Sequence, residues 1–200
     1  PLLVFFLLIG IAVSQGYLSH TTDSLLYAVF YLYNFTPREL YASEMGHFWS
    51  LGVEEQFYLF WPFALTAIKK VHFLIGFLCF LILVCSILIT IKSHIPLDAD
   101  YHVGRWFIPA SGPILVGCLG AVLNHYYRDR IQSLIRRNWL TIPFIFITYS
   151  FSLYVPVSLI PLGISIQSVA VILFILKIDH SQDRKWVQAL EFAPLSYIGI

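Results

Sequence analysis

Residues 71–91 read VHFLIGFLCFLILVCSILITI. The run contains no Asp, Glu, Lys or Arg. At about 1.5 Å of rise per residue, a helix of this length reaches roughly 30 Å, the thickness of a hydrocarbon core. The apolar residues are continuous rather than alternating, which selects a helix over a lipid-facing barrel strand. The whole chain shares this preference: of 200 residues, 58% are hydrophobic and 12% charged, with mean hydropathy +0.78. A soluble domain of this length cannot hide so much apolar surface in one core. The formal net charge is +1 and no basic block occurs, so nothing points to nucleic acid as a partner.

Working outward, further apolar segments lie at 1–14, 24–35, 48–68, 106–125, 139–156 and 158–176, and 186–200 reads as the start of another. The expected fold is an all-α, polytopic transmembrane bundle of roughly six or seven spans. Residues 1–200 read as a single transmembrane domain, truncated at both ends: the chain starts at Pro1 without a methionine and stops on apolar PLSYIGI. No internal repeat or low-complexity tract interrupts it.

The connections give a topology. Lys69 and Lys70 form one basic turn, Arg128, Arg130, Arg136 and Arg137 occupy a second, and Lys177, Arg184 and Lys185 a third. Positive charge marks the cytoplasmic side, and two spans separate each basic loop from the next, so all three share that side. The loops 36–46 and 92–105, with Glu39, Glu44, Asp98 and Asp100, then fall outside. Gly117 and Ala121, four apart, share a face on which another helix backbone can approach closely. Cys79, Cys85 and Cys118 lack metal-ligand spacing and read as buried small hydrophobes, with Cys79 and Cys85 about 120° apart on a helix. His94, Asp98, Asp100 and His102 are the only other polar cluster, which reads as a polar outer loop rather than a metal site.

The stretch HFWSLGVEEQFYLFWP, residues 47–62, is unlike its neighbours. At 100° per residue, His47, Ser50, Glu54 and Tyr58 fall within one stripe, while Glu55 and Gln56 turn progressively away. Pro62 is expected to bend the helix or mark its change of direction. A carboxylate in the middle of a span costs about 2.5–3.5 kcal/mol on insertion scales. Glu54 is therefore expected to face protein or a water-filled cavity. Two structural readings compete with a functional one: a hydrogen bond to a neighbouring helix, or a hydrated charge at the headgroup level.

This string resembles the signature of the acyltransferase family 3 membrane proteins, which follows roughly H-x-W-S-L-x-x-E-x-Q-F-Y-x-x-x-P. Asn34 in YLYNF resembles the family's asparagine before the motif, and Arg105 its arginine before a G-x-x-x-A helix. PLSYIGI resembles the start of a further family segment. The family includes bacterial O-acetyltransferases that modify lipopolysaccharide and other glycans. The resemblance implies an acyltransferase of the bacterial inner (cytoplasmic) membrane, transferring an acetyl group from acetyl-CoA to a carbohydrate hydroxyl. It also implies a first-helix arginine and histidine that residues 1–14 do not match, so that this piece is inactive alone.

On that reading, Glu54 orients a histidine or accepts its proton, with His47 the local alternative to the unmatched one. Ser50 is a hydrogen-bond donor or, less favoured, an acyl-carrying nucleophile. Trp49, Tyr58, Arg105 and Asn34 are the expected substrate-binding residues, Arg105 holding a negative or polar group of the acceptor. No metal is expected; membrane lipid and the carbohydrate acceptor are the expected partners. The rival expectation is a transporter or channel with a Glu54–His47 relay, and a third is a non-catalytic scaffold in which the motif is a packing knot.

Overall fold

The computed structural model describes residues 22–94, 102–137 and 160–180, with residues 7, 10, 11, 14, 15 and 146 in addition. Among the described residues the regular elements are helical and none is a strand. In chain order they are α1 (Thr22–Val29), α2 (Phe48–Ala67), α3 (Val71–His94), α4 (Phe107–Ala110), α5 (Gly112–Tyr126), α6 (Arg128–Arg137) and α7 (Ile160–Asp179). Single 3-10 turns at Tyr33–Phe35, Arg38–Leu40, Ser43–Met45 and Val103–Arg105 join them.

The expected count of six or seven spans is not obtained. Among the described residues, Val71–Lys92 is the one segment both long and apolar enough to cross a membrane. Physical reasons account for three of the segments, 24–35, 48–68 and 106–125. The segment 24–35 breaks after eight helical residues, because Tyr31 takes the left-handed conformation at φ 57°. Thr36, which precedes Pro37, is then held extended at φ −62°, ψ 129°. The segment 106–125 is interrupted at Ser111, where α4 stops and α5 starts with Pro113 in its first turn. In α2 the polar residues Ser50, Glu54, Glu55 and Gln56 dilute the apolar content. Segments 1–14, 139–156 and 186–200 lie outside the described residues apart from the single positions given above. Helix α2 runs unbroken through Pro62, which neither ends it nor turns it back.

The chain forms two compact units: Pro1–Leu74 with Phe80–Gly112, and Ile75–Cys79 with Pro113–Ile200. In the first, Ala28, Tyr33, Met45 and Phe48 make the core, backed by Leu25, Tyr27 and Leu51. Tyr33 clips its own loop shut: its hydroxyl donates to the Ala42 carbonyl at 2.7 Å and accepts from the Ala42 amide at 3.0 Å. Helix α3 is different in kind. Only 17% of its apolar window is buried, and Phe73, Phe80 and Leu83 stand 61%, 59% and 57% exposed. The core helix of a water-soluble protein is mostly covered, whereas this one offers its apolar side chains outward, as a lipid-facing helix does. Where α4 ends, the Ile108 carbonyl accepts from the Cys85 thiol at 2.8 Å and from the Ser111 hydroxyl at 2.9 Å. The helix break is thus satisfied from α3.

In the second unit a close helix approach is at Gly120, where an added Cβ would run into the Ile172 side chain; around Gly117 no described atom lies within 4 Å. The expected Gly117–Ala121 contact face is therefore displaced by one helical turn. Lys177 is buried and donates to the Ile135 carbonyl, tying α7 to α6. His180 and Asn124 are 2.7 Å apart, and the Asn124 amide donates to Asp179 at 3.4 Å. Of the cysteines only Cys85 is buried; Cys79 is exposed and Cys118 half-buried.

Candidate functional site

The residues around the motif belong to the first unit, and their placement follows from how the 30–47 segment is fastened to α2. The fastening is an amide pair. The Gln56 side chain donates to the Tyr31 carbonyl at 2.8 Å and to the Asn34 side-chain oxygen at 3.0 Å. Asn34 returns a hydrogen bond to Gln56 at 3.2 Å. The left-handed Tyr31 directs its carbonyl at this pair. Gly52, one turn before Gln56, makes room: a Cβ there would stand 2.7 Å from the Tyr31 carbonyl oxygen and 3.2 Å from the Asn34 oxygen. Asn34, expected to bind substrate, is 1% exposed, with both ends of its amide taken by Gln56. It holds the loop on the helix.

At the head of α2 the segment builds an aromatic cage. The Arg105 guanidinium lies 4.6 Å from the Tyr41 ring centre and 5.7 Å from that of Trp49. The His102 ring meets Tyr41 edge-on at 5.1 Å, and the Tyr33 ring lies 5.6 Å from that of Tyr41. Gly46 admits the Tyr41 hydroxyl, which would be 2.6 Å from an added Cβ. Cation–π attraction to two rings contributes about 1–2 kcal/mol where water is excluded. The Arg105 Nη1 is buried, and no described residue hydrogen-bonds to it. A buried cationic donor left unpaired costs more than a neutral one. Arg105 and Trp49, both expected at a substrate site, are brought together here.

The other expected residues lie elsewhere. His47 is exposed just ahead of α2, its ring 4.4 Å from that of Phe48. Ser50 donates to the His47 carbonyl at 3.0 Å, a local bond within the first turn. Glu54 is exposed, and no hydrogen bond or ion pair joins it to another described residue. Tyr58 is 62% exposed. Nine residues separate Trp49 from Tyr58, about half a turn in net rotation, so they do not share one wall. The motif thus divides. Trp49, Gly52, Val53, Gln56 and Phe57 face the unit, with Phe57 stacked on Trp61 at 5.3 Å. Ser50, Glu54 and Tyr58 make the opposite stripe.

Tyr41 went unmarked in the sequence, His102 read as part of a polar outer loop, and Gln56 read only as turning away from the Glu54 stripe. Gln56 stood inside the motif, and its amide one turn after Gly52 on the same helix face was a usable signal. Tyr41 and His102 carry no such signal, because sixty residues of chain separate them. Of the His94, Asp98, Asp100 and His102 cluster, both aspartates lie outside the described residues.

No family model, curated protein or solved structure matches this chain.

Proposed function

We propose that the chain is part of a multi-pass membrane O-acyltransferase that moves an acetyl group from acetyl-CoA to a hydroxyl of a cell-envelope or exported carbohydrate. The observation that carries this reading is the unpartnered Arg105 donor held against Trp49 of the motif. In acyl transfer the acceptor hydroxyl attacks the thioester carbonyl. A C–O bond forms, the C–S bond breaks, and coenzyme A leaves as the thiolate. The proton from the hydroxyl passes to a base and ends on the thiol.

Glu54 suits the support of that base. A carboxylate on a helix in lipid is costly, and its stripe carries Ser50 and Tyr58 rather than aliphatic residues. The stripe therefore faces polar groups in the assembled protein: the histidine that the resemblance implies on an unmatched helix, or His47 itself. Arg105, with its rigid fork of donors, suits a carboxylate, a phosphate or a sugar oxygen of the acceptor.

The test is transfer of label. Membranes carrying the full protein are incubated with acetyl-labelled coenzyme A, and ester-linked label on envelope glycans is scored for wild type, Glu54→Gln and Arg105→Lys. Label in wild type and its loss in Glu54→Gln support the reading. Equal label in the two removes Glu54 from the chemistry. Absence of label in wild type across plausible glycans turns the case toward a transporter.

A further inference from the structure

The arginines of α6 belong to the second unit and stand apart from the motif. In the sequence they read as a basic turn; in the structure they form a helix. It carries Arg128, Arg130, Arg136 and Arg137 against Asp129 alone. The helix is held at both ends. The Tyr127 amide donates to the Leu123 carbonyl at 2.9 Å and the Ile131 amide to the Tyr127 carbonyl at 3.0 Å, so backbone bonding carries on from α5. At the other end, buried Lys177 of α7 donates to the Ile135 carbonyl, which lies in the last turn and has no partner within a helix. The Asn124–His180 contact joins the last turn of α5 to the end of α7.

Burial divides the helix. Ile135 is buried and Ile131 half-buried, while Arg128, Asp129 and Arg130 are exposed. No ion pair or hydrogen bond joins the Arg128 or Arg130 guanidinium to a described residue. Apolar side chains of the same unit stand open as well: Tyr126 and Ile175 are each 56% exposed and Phe174 38%. Tyr126 comes two residues before Arg128, so at the end of α5 apolar surface passes directly into uncompensated positive charge. That order is the order of a membrane interface, where aromatic rings and basic side chains sit at headgroup level. A nucleic acid or a soluble phosphate would match the arginines and leave the apolar surface in water.

We propose that α6 binds the phosphates of anionic membrane lipids through Arg128 and Arg130, while the apolar side chains at the ends of α5 and α7 meet the acyl chains. Four basic residues on one amphipathic helix are enough for such recognition, each worth about fivefold in affinity near a charged leaflet. The attachment to Lys177 makes the arginines a fixed surface on the protein. The proposal does not depend on acyl transfer.

The experiment compares binding of phosphatidylglycerol and of phosphatidylcholine with the same acyl chains to the full protein in a neutral detergent, read by native mass spectrometry at matched mole fraction. Phosphatidylglycerol is expected to bind about tenfold tighter. Arg128→Gln combined with Arg130→Gln changes two exposed side chains and is expected to remove most of that preference with the melting temperature unchanged. Asp129→Asn removes the one opposing charge and is expected to raise the preference about twofold or more, a gain that a merely structural helix would not give. Equal affinity for the two lipids in wild type overturns the proposal. A loss just as large in Lys69→Gln combined with Lys70→Gln also overturns it, because the preference would then follow the charge of the whole protein and not α6. Competition by soluble glycerol 3-phosphate as strong as by phosphatidylglycerol makes the site one for free phosphate and overturns it too.

Discussion

Arg105 stacks over Tyr41 with 4.6 Å between guanidinium carbon and ring centre, although the two residues come from segments far apart in the chain. The stacking leaves one guanidinium nitrogen buried and unpaired. Two opposing magnitudes decide what its removal does. The unpaired charged donor costs about 1–3 kcal/mol, and the two cation–π contacts return about 1–2 kcal/mol. Arg105→Met is therefore expected to shift folding stability by no more than about 2 kcal/mol. Acyl transfer is expected to fall at least about tenfold, since a charged hydrogen bond to the acceptor is lost. Thermal melting in detergent and the labelled-acetate assay on the same preparation check both halves. Large destabilisation with unchanged transfer would make Arg105 a structural residue.

The Asn34–Gln56 pair predicts the opposite pattern. Gln56→Ala orphans the Tyr31 carbonyl and the Asn34 amide, and Asn34→Ala orphans Gln56. Each is expected to cost about 1–3 kcal/mol of stability. The two act on one contact, so the double variant is expected to cost less than the sum by about 0.5–3 kcal/mol. Chemical unfolding of the four proteins in a mixed micelle measures the coupling, and strict additivity would show that the pair does not hold the loop.

Gly52→Ala tests the same junction by volume instead of by hydrogen bonding. A methyl 2.7 Å from the Tyr31 carbonyl oxygen must push the turn off α2. Overpacking of this kind costs about 1–3 kcal/mol. Gly117→Ala, inside α5 and with no described atom near the added Cβ, is expected to stabilise by about 0.5–1 kcal/mol. Paired melting curves give the comparison, and equal effects would contradict the close approach at Gly52.

These contrasts show which parts of the molecule the sequence disclosed. Helix α3 was legible because an uninterrupted apolar run of membrane length has few other ways to satisfy its backbone. The break after Val29 was not, because YLYNF is as apolar as the helix before it; its turn depends on Tyr31 adopting φ 57° so that its carbonyl meets Gln56. The stripe of Ser50, Glu54 and Tyr58 followed from helical spacing alone. The partner of Trp49 did not, because a cation–π contact between positions 49 and 105 leaves no local pattern. Asn34 was recognised as special from its place before the motif, but its buried amide pair can be read only once Gln56 is seen across from it.

Glu54 offers the sharpest separation of chemistry from folding. Its side chain is exposed, and no described residue bonds to it. Exposed substitutions of this kind change stability by no more than about 0.5 kcal/mol, so Glu54→Gln is expected to leave the melting temperature and helical content of the purified protein unchanged. A carboxylate that orients a catalytic base contributes about 10²–10⁴-fold to rate, and transfer is expected to drop accordingly. Glu54→Asp keeps the charge but withdraws it by one methylene, so it should retain part of the activity that Glu54→Gln loses. A packing role predicts a different order: Glu54→Gln, the closest in shape, would be the mildest change, and Glu54→Leu would destabilise the fold. Initial rates and melting curves for the three variants distinguish the two orders. Activity in Glu54→Gln equal to wild type would remove the carboxylate from the reaction whatever the melting curves show.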